Sequence, residues 1–173
     1  MRVPGPAEEF VVRLDEVRSR MATLVETPVP DTLTEPHPST GERWAWNQVW
    51  AHMVEFVPYW MDQIRRTVEN EGESPPPFGR VQTDPGRLAG IESGRLEGVP
   101  ALWERLSGEI DDLKVFLTDL AEEAWRRQGE HQTLGVMGMD RIVDEFLVGH
   151  LEEHADQLEG LAGHAPPGDT PTR

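Results

Sequence analysis

Apolar residues recur at helical spacing along four long stretches of the chain, and no stretch alternates as a half-buried strand would. Over 6–26, Phe10, Leu14, Val17, Met21 and Leu24 form one stripe with charges opposite it, which predicts a first helix ended by Pro28 and Pro30. A second helix is predicted over 45–70, where Trp46, Trp50, Phe56, Tyr59 and Trp60 make the segment dense in aromatic side chains. Val49, His52, Phe56 and Tyr59 share one stripe there, so His52 faces inward, and Pro58 removes a backbone hydrogen bond and predicts a kink just after it. A third helical region is predicted over 86–120. Its first part is weakened by Gly86, Gly90, Gly94 and Gly98, a spacing that either admits a close neighbour or marks a frayed segment. Pro100 starts its stronger half, where Leu102, Trp103, Leu106, Ile110, Leu113, Phe116 and Leu117 form a stripe. A short turn is expected near 118–126 with Thr118 as its cap, then a loop over 127–138. The last helix is predicted over 139–162, with the stripe Met139, Val143, Phe146, His150, His154, Leu158 and Leu161, stopped by Gly163 and Pro166-Pro167. Residues 27–43 and 70–86 are rich in proline and polar residues and read as loops. The expected fold is all-α: an up-down-down-up four-helix bundle with long crossover loops, one domain over 1–162, and a disordered tail over 163–173.

Composition narrows the chemistry. The 173 residues include no cysteine, which excludes disulfides, thiolate metal sites and a cysteine nucleophile, and fits a cytoplasmic setting. A net charge of −16 argues against a nucleic-acid partner. No apolar run approaches the length of a membrane span, and the first residues carry no apolar signal-peptide segment.

The chemistry sits on the last helix. His150 and His154, four residues apart, lie on one face, a standard way to offer two imidazoles to one metal ion. His52 is the candidate third ligand from the second helix. Three histidines plus an open position suit Zn²⁺, and Ni²⁺ or Fe²⁺ also accept imidazoles. The alternative is a set of core histidines held by hydrogen bonds. His150-Leu-Glu-Glu153-His154 also matches the H-x-x-E-H pattern of inverted zinc peptidases. Only 19 residues follow His154, however, and Glu153 falls on the solvent side of the helix, so a third ligand has to come from upstream. His37 reads as a solvated loop histidine, His131 as a solvated loop histidine or one at the mouth of a site, and His164 lies in the tail. Arg126-Arg127 reads as a helix-end pair or as a contact for an anionic cofactor. Trp44, Trp46, Trp50 and Trp60 read as core, with Trp44 and Trp46 the two that can border a pocket.

Three segments together resemble the DinB-like (damage-inducible) four-helix-bundle proteins. These are Trp44-Ala-Trp-Asn-Gln48-Val49-Trp50-Ala-His52, the run Gly135-Val-Met137-Gly138-Met139, and His150-Leu-Glu-Glu-His154-Ala-Asp-Gln157-Leu158. Ala45 departs from the pattern, standing where a capping Ser is common. The resemblance spans about 8–162 and implies His52, His150 and His154 as metal ligands. It further implies a homodimer and a metal-dependent transferase or isomerase that uses a small thiol such as mycothiol, bacillithiol or glutathione. Two other functions stay open on the residues: a hydrolase activating water, with Glu55 or Glu153 as base, and a non-enzymatic dimeric bundle that binds a small ligand.

Overall fold

The computed structural model describes residues 5–163; His164 and the rest of the expected tail lie outside the described residues. Helix α1 spans Pro6–Leu24 and α2 spans Trp46–Glu69. The two-residue strand β1 (Pro77–Phe78) follows, then α3 (Pro85–Gly94), α4 (Val99–Asp119) and the one-turn α5 (Glu122–Trp125). Strands β2 (Gln128–His131) and β3 (Gly135–Gly138) lead into the last helix, α6. That helix runs through three consecutive segments, Met139–Val143, Asp144–Val148 and Gly149–Gly163.

Helices α1, α2, α4 and α6 form the bundle. Both α1 and α2 pack against α4 and α6. Side-chain pairs give the directions. Arg13 meets Glu152 and Arg20 meets Glu159, so α1 runs parallel to α6. Arg18 meets Asp111 and Asp15 meets Lys114, so α1 is antiparallel to α4. His52 meets His150 while Trp60 stacks on Phe146, so α2 is antiparallel to α6. Trp50 meets Trp103 and Arg65 meets Phe116, so α2 and α4 run the same way. This is the up-down-down-up order, and it requires the long crossovers at 25–45 and 70–98. The core follows the predicted stripes: Leu14, Val17 and Met21 of α1, Val49, Trp50 and Phe56 of α2, and Leu102, Leu106, Ile110 and Leu113 of α4 are all buried.

Several expectations need correction. The region 86–120 is two helices, broken where Gly98 caps α4 with Pro100 in its first turn. The glycine spacing serves close approach at two positions. A Cβ on Gly94 would sit 2.9 Å from the Ala51 Cβ, and one on Gly90 would sit 2.6 Å from the Glu55 Cγ, so α3 lies flush on α2. Thr118 does not cap a following turn. Its hydroxyl donates to the Lys114 carbonyl, and Ala121 occupies the cap position of α5. Helix α2 continues through Pro58, as a kinked but unbroken helix does, and the proline is exposed. Ala45 has no capping side chain; Gln48 reaches back instead and accepts from the Ala45 N–H at 2.9 Å.

The 127–138 segment is a hairpin, not a loop. β2 and β3 pair antiparallel around Gln132, Thr133 and Leu134, and β1 adds in parallel at the β2 edge. Gly135, at φ 73°, supplies the left-handed position that such a short turn needs. Strands of two to four residues are too short to establish a period, and three of the eight residues in the hairpin's strands are glycine (Gly129, Gly135 and Gly138), so no apolar stripe marks them in the sequence.

Candidate metal centre

The site is built where α2 and α6 face each other. In α6 the Gly149 N–H bonds the Asp144 carbonyl five residues back, so one turn is wider than α. Gly149 permits this: a Cβ there would lie 2.7 Å from that carbonyl oxygen. The extra residue moves the buried face on by one position. Before the wide turn, Met139, Ile142 and Val143 are buried; after it, Leu147, Leu151, His154, Ala155 and Leu158 are. The straight stripe expected from sequence therefore fails at Phe146 and His150. Both sit beside the core on a cavity wall, and the His150 side chain keeps 29% of its exposure. Arg13 braces the wide turn from α1, at 2.7 Å from the Asp144 carboxylate and 2.6 Å from that of Glu152.

His52, His150 and His154 come together with their Nε2 atoms converging. The His52 and His154 Nε2 atoms each lie 3.2 Å from the His150 Nε2, and all three ligand atoms fall within 4.8 Å of one another. Burial, and then the neighbouring imidazoles, push His52 and His154 well below the ordinary histidine range, so both are neutral near pH 7. The tautomers are set from behind. His154 Nδ1–H donates to the Gln157 amide oxygen at 2.8 Å, and His150 Nδ1–H donates to the Glu153 carboxylate at 3.2 Å. Those bonds leave Nε2 lone pairs pointing at one point. Converging lone pairs repel unless a cation lies between them. The two 3.2 Å spacings to His150 are close to the edge of about 3.3 Å expected for nitrogens at 2.0–2.1 Å around tetrahedral zinc. The donor set thus fits a divalent ion. His52 Nδ1 is buried without a partner. Trp44 packs on the rings from one side, 4.7 Å from His52 and 6.0 Å from His154, and Phe56 lies 4.7 Å from His150.

The three imidazoles open into a cavity of about 790 Å³. Trp44, Trp60, Phe146 and Val81 give it apolar walls, and His37, Glu42, Arg80, Arg87, His131 and Gln157 give it polar ones. Trp46 and Trp50 are core, and of the two tryptophans expected at a pocket edge only Trp44 lines the cavity.

Other sequence expectations change here. Glu55, a candidate base, pairs with Arg80 at 2.6 Å, with both side chains largely buried. Glu153 is exposed, as its helix position suggested, yet it bonds His150, and that bond holds its carboxyl below the usual carboxylate range. His131 is not a solvated loop residue. It is buried on β2, stacked on Phe146 at 5.2 Å, with its Nδ1 accepting from the Thr133 hydroxyl and backbone, and burial lowers its pKa. The hairpin missed in the sequence is what places it. His37 is exposed at the rim, against Ser39 and Gln82. Arg126 pairs with Glu122 on the surface and takes no part in the cavity.

No protein-family profile matches the chain, and no curated protein does. Solved structures share its fold. One is a mycothiol-dependent maleylpyruvate isomerase, 16% identical, with a TM-score of 0.66 over 95% of this chain; the match spans 65% of the isomerase, so this chain covers less than two thirds of it. YfiT from Bacillus subtilis, described as a probable metal-dependent hydrolase with an unusual four-helix bundle topology, is 15% identical. It matches with a TM-score of 0.71 over 91% of this chain and 86% of its own. An uncharacterized protein from Clostridium difficile 630 is 12% identical, with a TM-score of 0.64 over 94% and 99%. At these identities the likeness is one of fold, a four-helix bundle.

Proposed function

We propose that His52, His150 and His154 hold a divalent metal, Zn²⁺ or Ni²⁺, and that the protein is a metal-dependent transferase or isomerase acting on a small molecule through a low-molecular-weight thiol such as mycothiol. The observation that carries this reading is the convergence of three imidazole Nε2 atoms, with His150 and His154 held from behind at Nδ1 by Glu153 and Gln157. A three-histidine metal with an open position lowers the pKa of a thiol placed there and makes it a nucleophile at neutral pH. The chain has no cysteine, so the thiol has to be a bound small molecule. Gln157 and Glu153 keep the Nε2 atoms of His154 and His150 free. Trp44, Trp60 and Phe146 line the cavity with apolar surface that excludes water from the thiol and its electrophile.

Hydrolysis is the second reading, supported by the description of YfiT. It is disfavoured by the carboxylates. Glu55 is engaged by Arg80 and Glu153 by His150, so neither of the expected bases is free to take a proton from water. A thiol needs no such base, because its own pKa lies near enough to neutral. The fold resemblance extends the proposal to a cytoplasmic homodimer. Among the described residues no helix is long and apolar enough to cross a membrane. The test is thiol consumption by Zn²⁺- or Ni²⁺-loaded protein with a panel of thiols and electrophiles. Acceleration by at least one thiol, lost in His154→Ala, is expected. Turnover of ester or amide substrates without any thiol, and none with it, replaces this reading with the hydrolase.

A further inference from the structure

Arg87 is the one guanidinium on the cavity wall whose charge is poorly matched. It opens α3 and is 7% exposed, yet of its five N–H groups only one makes a hydrogen bond, from Nη1 to the Gln82 carbonyl at 2.7 Å. The nearest carboxylate, Glu42, lies 3.9 Å from Nη2, beyond hydrogen-bond reach, and stands at the partly exposed rim. Arg80, the other arginine of the wall, differs. Glu55 meets it at 2.6 Å, Asp84 lies 3.7 Å away, and its guanidinium covers the Tyr59 ring at 3.8 Å. Burying a guanidinium with most of its donors unused is costly unless something arrives to use them.

Its position says what that is. The Arg87 Cζ lies 5.3 Å from the Trp44 ring, and that ring lies 4.7 Å from the ring of His52. Trp44 thus touches both the guanidinium and the His52 imidazole, and Arg87 and the three histidines line the same cavity. Arginine's fork of donors matches a planar carboxylate. Trp60, Phe146 and Val81 offer apolar surface to whatever carries that carboxylate.

We propose that the cavity takes a small carboxylate-bearing molecule with an apolar body, and that Arg87 binds the carboxylate. This rests on reading the cavity as the substrate site of the proposed metal centre, but its test separates the two.

The probes are phenylacetate and its uncharged isostere phenylacetamide, titrated by calorimetry into chelator-stripped protein and into Zn²⁺-loaded protein. Phenylacetate is expected to bind the stripped protein at least tenfold more tightly than phenylacetamide. Arg87→Gln is expected to remove that preference, Arg87→Lys to keep part of it, and Arg126→Gln to leave it intact. Equal affinity for the acid and the amide, no binding of phenylacetate, or unchanged binding in Arg87→Gln overturns the proposal. The acid–amide comparison uses the unaltered protein, so it decides even where Arg87→Gln does not fold. If Zn²⁺ is taken up while phenylacetate ignores Arg87, this inference fails and the metal centre stands. If phenylacetate binding depends on Arg87 and no metal is taken up, the reverse holds.

Discussion

Gln157 and Glu153 each hold one histidine from behind, and the structure ranks them. The Gln157 bond is short, 2.8 Å, and its partner His154 is 5% exposed, so water does not easily replace the lost oxygen. The Glu153 bond is longer, 3.2 Å, and the carboxylate side chain is 74% exposed. Removing a partner behind a ligating histidine typically costs 10–100-fold in metal affinity, or about 1.4–2.7 kcal/mol. Gln157→Ala belongs in that range, because it leaves the His154 Nδ1–H buried and unpaired and releases the tautomer that frees Nε2. Glu153→Ala removes a solvent-screened partner worth about 0.2–1 kcal/mol, which is roughly fivefold at most. Competition for Zn²⁺ against a chromophoric chelator at pH 7.5 measures both. The expected order is wild type, then Glu153→Ala, then Gln157→Ala by a clear margin. An unchanged affinity in Gln157→Ala, or a larger loss in Glu153→Ala, refutes the assignment of these two bonds.

Two further outcomes test the packing that frames the site. Gly94→Val drives a side chain into Ala51, the residue next to His52, where even a Cβ lies 2.9 Å away; a loss of about 1–3 kcal/mol is expected, read as a lower urea midpoint at unchanged slope. Burial raises the Glu109 carboxyl from 4.5 to about 8, and its Oε2 has no partner. The folded state holds that proton more tightly than the unfolded chain does, so this site's contribution to stability is fullest below 4.5 and is lost as pH rises through about 8. Glu109→Gln should therefore raise Tm at pH 8.5 and change it little at pH 4.5; melts with the same difference at both pH values contradict the burial argument.

Much of this protein was legible before its structure. The four stripes placed the bundle helices, because a helix in an all-α core repeats its apolar positions regardless of context. The inward face of His52 and the His150/His154 pair followed from the same periodicity. What periodicity missed lies where the backbone departs from a uniform helix or strand. The wide turn before Gly149 shifts the phase of α6, so Phe146 and His150 leave the straight apolar stripe and stand on the cavity wall. Its only sequence trace is a slip of one residue between the Met139–Val143 stripe and the Leu147–Leu151–Leu158 stripe. The hairpin that buries His131 left a single signal, Gly135 in a turn. The pairings of Arg80 with Glu55 and of Arg87 with the cavity join positions far apart in the chain, and no local pattern announces them.

Everything proposed for the cavity starts from His52, His150 and His154 holding one metal ion. Elemental analysis of protein purified without chelator, run beside His52→Ala, tests it most directly. A stoichiometric divalent metal, Zn²⁺ or Ni²⁺, is expected in the wild type, and its loss in the variant. Wild-type protein that neither carries nor takes up either ion, or a His52→Ala variant that binds added metal with unchanged affinity, contradicts it.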